Sequence, residues 1–91
     1  MRVLVVDDEL SMREYLELLV SGWGHEVVVS ATVPAAIKEL EGAPFDLVVS
    51  DMKIGSDTGL RVLKAARSLA SPPEVIVITA YGTPASAIEA I

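Results

Sequence analysis

Four short aliphatic runs recur along this chain, at residues 3–6, 26–30, 47–50 and 75–78, and a helix-length segment follows each of them. Uninterrupted β-branched runs suit strands buried on both faces. After the first run, Met12, Leu16, Leu19, Val20 and Trp23 fall at helical intervals, with Gly22 and Gly24 as stops and Trp23 placed to close that helix over the core. Thr32 before Pro34 reads as an N-cap followed by an early helical proline, ahead of Val33, Ala36, Ile37 and Leu40 on one face and a stop at Gly42. A loop over 52–58 leads to a third helix carrying Leu60, Leu63, Ala66 and Leu69, with Val62 and Ala70 nearby, broken by Pro72-Pro73. A last helical segment covers 85–91. The order β-α-β-α-β-α-β-α predicts an α/β fold: a doubly wound parallel sheet, helices on both faces, right-handed crossovers.

The chain is long enough for one domain over 1–91, and 52% hydrophobic residues supply a core. Cysteine is absent, which excludes disulfides and thiolate metal sites. The net charge is −6 and Lys and Arg form no run, so direct nucleic-acid contact is not expected. No apolar stretch is long enough to span a membrane, and the apolar run at the N-terminus is too short for a signal peptide. These features point to a cytoplasmic protein.

In doubly wound sheets, ligands bind outside the carboxyl ends of the strands. Here those ends carry Asp7-Asp8, Asp51 and Thr79. Two carboxylates about 4 Å apart repel by roughly 4 kcal/mol at an effective dielectric near 20, so three at one rim are costly. A divalent cation removes that cost, and hard oxygen ligands suit Mg²⁺ or Mn²⁺. The plainer alternative is that each Asp caps the helix after its strand. With a cation beside it, Asp51 can attack phosphorus and form an aspartyl phosphate. Thr79 can offer a hydroxyl to a phosphoryl oxygen, with small Ala80 leaving access; alone, it reads first as an ordinary strand-end or capping residue.

Val5-Val6-Asp7-Asp8-Glu9, Asp51 with Gly59-Leu60 eight and nine positions on, and Val75-Ile76-Val77-Ile78-Thr79-Ala80-Tyr81-Gly82 follow in order. Together they resemble the receiver domain of bacterial two-component response regulators. The Asp51-Met52-Lys53 start of the loop and the Thr79-Ala80-Tyr81-Gly82-Thr83 stretch are most similar to the NtrC-like, sigma-54 activator type. The resemblance implies a flavodoxin-like sheet of order 2-1-3-4 in this chain. It implies that Asp51 is the phosphoacceptor, served by a sensor histidine kinase. It implies Mg²⁺ held by Asp8, by Asp7 partly through water, by Asp51, and by the backbone carbonyl of Lys53. Thr79 would move toward the phosphoryl group and switch the face around the last helix, regulating a transcriptional effector domain.

Two positions depart from the family pattern. Receivers usually carry proline four residues past the acceptor, where this chain has Gly55 followed by Ser56, an exchange that frees the backbone and predicts a more mobile loop. The family also has a fifth strand, ending in a lysine, and a fifth helix, whereas this chain stops at Ile91; the expectation is a C-terminally truncated receiver with weakened phosphoryl chemistry. An exposed fourth strand or the last helix would then be a homodimer surface. The competing function is enzymatic: a Mg²⁺-dependent phosphatase or phosphotransferase with an Asp nucleophile. Such enzymes place the nucleophile in an Asp-x-Asp pattern after strand one, and Asp7-Asp8-Glu9 lacks that spacing. The expectation is therefore a signalling module, not an enzyme. His25 reads as a surface residue, and Arg61, Lys64 and Arg67 as the solvated face of the third helix.

Overall fold

A computed structural model describes residues 1–79. The elements are β1 (Arg2–Val6), α1 (Leu10–Gly22), β2 (Glu26–Ser30), α2 (Val33–Gly42), β3 (Leu47–Asp51), β4 (Lys53–Ile54), β5 (Asp57–Thr58), α3 (Gly59–Arg67) and β6 (Glu74–Ile78). The four long strands form one parallel sheet in the order β2-β1-β3-β6. This is the predicted 2-1-3-4 order of a flavodoxin- or receiver-like sheet. The last helical segment over 85–91, with Ala80 and Tyr81, lies outside the described residues.

Alternation along β1 divides the core in two. Leu4 and Val6 point to the face covered by α2 and α3, where they join buried Val33, Ala36, Leu40, Val48, Val62 and Ala66. Val3 and Val5 point to the opposite face and join Val20 of α1, with Leu16, Val27, Leu47 and Val49 packed partly against them. An unbroken aliphatic run, Val3-Leu4-Val5-Val6, is needed in β1 because both of its faces are buried.

Thr32 caps α2 as its position predicts: its hydroxyl oxygen accepts from the Ala35 N–H at 3.2 Å, with proline in the first turn. Thr32→Ala is expected to cost about 1 kcal/mol. That lowers the melting temperature by about 4–8 °C in a domain of this size. An unchanged thermal melt would mean that packing of Val33, Ala36 and Leu40 alone holds the helix start.

Three local readings need correction. Trp23 does not close α1 over the core; it is 65% exposed, because it follows the last turn and only Val20 of α1 is buried. The buried stripe of α3 is Gly59, Val62, Leu63 and Ala66, with Leu60 only half-buried, and the helix ends at Arg67, before Leu69. The stripe turned because α3 starts against the β3 backbone, where glycine alone fits. The 52–58 loop contains a miniature antiparallel hairpin, with Ile54 opposite Asp57. Gly55 has φ +62° and no other residue of that turn has positive φ, the pattern of a two-residue type II′ turn. The Gly-Ser pair between Ile54 and Asp57 was the available signal.

Candidate functional site

Strand pairing brings the predicted rim residues together. Val6 lies opposite Ser30 and Ser50, and Asp51 lies opposite Ile78, so Asp7, Asp51 and Thr79 all emerge at the same edge of the sheet. Asp7, Asp8 and Asp51 each offer a carboxylate oxygen, and these three atoms lie within 4.8 Å of one another. The three differ in exposure: Asp7 is buried, Asp51 is half-buried and Asp8 is exposed. Lys53 is exposed on β4, two residues beyond Asp51, and Thr79 is half-buried directly after β6.

Each carboxylate is held by a different part of the chain. Asp7 Oδ1 accepts from the Glu9 N–H at 2.9 Å, while the Asp7 N–H donates to the Ser30 carbonyl at 3.1 Å. Arg13 donates from its guanidinium to the Asp7 carbonyl at 2.9 Å. A cation in the first turn of a helix opposes the macrodipole, which was the sequence signal that Arg13 has another task. Asp8 Oδ2 accepts from the Gly55 N–H at 2.8 Å. The Gly55 backbone is therefore tied to the site, where an exchange of proline for glycine had predicted only added freedom. A proline there has no N–H and could not make this bond.

Capping does not explain these acids. Helix α3 is capped by Thr58, whose hydroxyl oxygen accepts from the Leu60 N–H at 3.2 Å. Helix α1 has Glu9 at its N-cap, with no side-chain cap bond. Arg61 pairs with Asp57 across one helical turn and joins α3 to the hairpin. Arg61, Lys64 and Arg67 form the exposed side of α3 that their spacing predicts.

The Asp51 carboxyl is pushed above the usual range of an aspartate. Burial is the main cause, and a cleft walled by Val6, Met12, Leu16, Val49 and Ile78 supplies it. The charge on Asp7 raises it further and that on Asp8 adds a smaller push, while hydrogen bonding to the backbone at Met52 and Lys53 acts in the opposite sense. Three hard oxygen donors that repel one another at this spacing fit a small divalent cation, which would remove the repulsion.

Behind Asp51 the packing is tight. Ser50 is fully buried and its hydroxyl donates to the Asp51 carbonyl at 2.9 Å. The Met52 N–H donates to the Ile78 carbonyl and the Gly59 N–H to the Met52 carbonyl, both at 2.7 Å. A methyl group at Gly59 would sit against the Asp51 carbonyl oxygen, far inside contact distance, and 2.9 Å from Ser50 Oγ. The sequence marks Gly59 only as part of a motif; the close approach of α3 to the end of β3 explains why it is glycine.

A family model described as the response regulator receiver domain matches residues 3–91. The chain is 33% identical over 89 residues to the transcriptional regulatory protein ZraR of Escherichia coli K12, covering 98% of this chain and 20% of that protein. It thus spans about a fifth of that relative's length. Among solved structures, the beryllofluoride-activated NtrC4 receiver domain dimer matches with TM-score 0.89 and 29% identity, covering 98% of this chain and 74% of that one. The response regulator TrrA of Thermotoga maritima, in complex with Mg²⁺-BeF, matches with TM-score 0.85 and 31% identity, covering 97% and 76%. The NtrC-like character read from the loop and the Thr79 stretch is in keeping with the NtrC4 match.

Proposed function

This chain belongs to the response regulator receiver domain family of two-component systems, and we propose that residues 1–91 form a receiver in which Asp51 is the phosphoacceptor. The observation that carries this reading is the trio itself: a half-buried Asp51, with its pKa raised, sharing 4.8 Å of space with Asp7 and Asp8. An Asp51 carboxylate oxygen bonds to phosphorus as the P–N bond of the kinase's phosphohistidine breaks, and the electron pair stays on the imidazole nitrogen. Asp7, Asp8, Asp51 and the Lys53 carbonyl are the groups that would hold Mg²⁺, a choice supported by the Mg²⁺-BeF bound to TrrA. When bound, Mg²⁺ neutralises charge on the phosphoryl oxygens and aligns them for attack. Attack needs Asp51 ionised, and the same cation favours that form.

Thr79 donates its hydroxyl to a phosphoryl oxygen and passes the change on to the output partner. The donor partner is a sensor histidine kinase. The output partner is an effector domain of the full-length protein, in keeping with the name of ZraR as a transcriptional regulatory protein. A second copy of this chain is a further partner, in keeping with NtrC4, which is described as a dimer. None of the described helices is long and apolar enough to cross a membrane. The module stores a phosphoryl group and does not turn over an ester substrate.

Incubation with acetyl phosphate and Mg²⁺ is expected to add one phosphoryl mass, mapped by peptide sequencing to Asp51 and absent from Asp51→Asn. Modification elsewhere, or none at all, would overturn the acceptor assignment. Sustained hydrolysis of a phosphate ester that Asp51→Asn abolishes would favour the phosphatase reading.

A further inference from the structure

The structure assigns Gly55 a positioning role in the cation site: its N–H clamps one oxygen of Asp8 and leaves the other to ligate. This rests on the reading of the trio as a Mg²⁺ site. The two residues are 47 positions apart, and their 2.8 Å hydrogen bond links the β1 rim to the hairpin after β3. The hairpin geometry makes the donor available. In a two-residue turn the ladder uses the groups of the flanking residues, here Ile54 and Asp57, so the N–H of the first turn residue is left over. The positive φ of Gly55 belongs to that turn, and Ser56 does not share it.

Glycine is not required at this position for lack of space. A Cβ on Gly55 would meet no heavy atom within 4 Å. What the position demands is a left-handed backbone and a free N–H. Asp8 is the exposed member of the trio, so burial does little to hold its carboxylate in place. A free aspartate loses rotamer freedom when it ligates a cation; one already held by a charge-assisted bond has lost it beforehand. Outer contacts of this kind typically change metal affinity by about 10–100-fold, and the exposure of this bond places it at the lower end.

Two substitutions separate the N–H from the turn. Gly55→Pro removes the N–H and the positive φ together. Gly55→Asn keeps the N–H and is among the side chains that best tolerate positive φ. Calorimetric titration of each protein with MgCl₂ is expected to show about tenfold weaker binding in Gly55→Pro and binding within about threefold of the parent in Gly55→Asn. In cation-free protein, the Gly55 amide proton, observed by NMR, is expected to move upfield in Asp8→Ala. Parent-like Mg²⁺ affinity in Gly55→Pro would overturn the inference alone, as would equal losses in the two Gly55 variants or an amide proton indifferent to Asp8→Ala. Absence of Mg²⁺ binding in the parent would overturn the cation reading and this role with it.

Discussion

Gly59→Ala is expected to destabilise the protein by about 3 kcal/mol, the upper end of the overpacking range. In a domain of this length that lowers the melting temperature by about 12–24 °C, at about 4–8 °C per kcal/mol. The added methyl would meet the Asp51 carbonyl oxygen, lie 2.9 Å from Ser50 Oγ and lie 3.2 Å from the Asp51 carbonyl carbon. Two of these three atoms are backbone, and the third belongs to a side chain with no exposure. No flexible group can yield, so α3 must move away from β3. That movement breaks the Gly59 N–H bond to Met52 and shifts Asp51 itself. Helix propensity acts in the other direction, since alanine is favoured over glycine by about 1 kcal/mol. A loss therefore measures the tertiary clash. Thermal melts followed by circular dichroism decide the matter, and a fall of under about 4 °C, the scale of one kcal/mol, would show that the helix accommodates a methyl group easily.

Asp51→Asn is expected to raise the melting temperature of the cation-free protein at neutral pH, while Mg²⁺ reverses the ranking. The folded-state pKa of Asp51 is raised above its ordinary value of 3.8, by burial first and by Asp7 next. A raised carboxyl pKa means that the fold favours the protonated form. The resulting stability is fully present below the unfolded pKa and is lost as pH rises through the folded one. At pH 7 the ionised carboxylate is then a liability, which the neutral amide removes. The relief is read directly as the rise in melting temperature, at about 4–8 °C per kcal/mol in a domain of this size. A saturating cation binds the native parent and stabilises it by about 2.7 kcal/mol at a hundredfold excess over Kd. The variant has one carboxylate fewer and gains less. Calorimetric scans in EDTA and in MgCl₂ test both halves. Equal melting temperatures in EDTA would remove the like-charge argument, and equal gains from Mg²⁺ would remove Asp51 from the ligand set. Scans in EDTA between pH 4 and 7 should show the advantage of Asn shrinking as the parent's Asp51 protonates.

The contrast between these substitutions reflects two ways in which a site is built. The Asp51 carboxylate is present at a cost to the cation-free fold, as functional groups often are. Gly59 and Ser50 serve the opposite end, holding the end of β3 where the carboxylates converge. Their effects should separate in measurement: Asp51→Asn loses phosphorylation and keeps the fold, whereas Gly59→Ala weakens both together.

Most of the architecture was legible in the sequence because it follows from local rules. The unbroken aliphatic run Val3-Leu4-Val5-Val6 requires two buried faces, and helical spacing after each strand requires crossovers. Those two facts lead to parallel strands and place Asp7, Asp8, Asp51 and Thr79 at one rim, where the structure has them. Thr32 was legible for the same reason, since a cap is decided within four residues. Tertiary structure alone decided the rest. Trp23 is apolar and in phase with its helix, yet whether it finds a partner depends on what the turn after α1 packs against, and it is left exposed. Glycine has no side chain whose chemistry could announce a role. At Gly59 the deciding fact is the approach of a helix to the strand carrying Asp51. At Gly55 it is an N–H that meets a carboxylate 47 residues away. Local periodicity sets which residues reach the rim; contacts between segments distant in sequence set how firmly each carboxylate is held there.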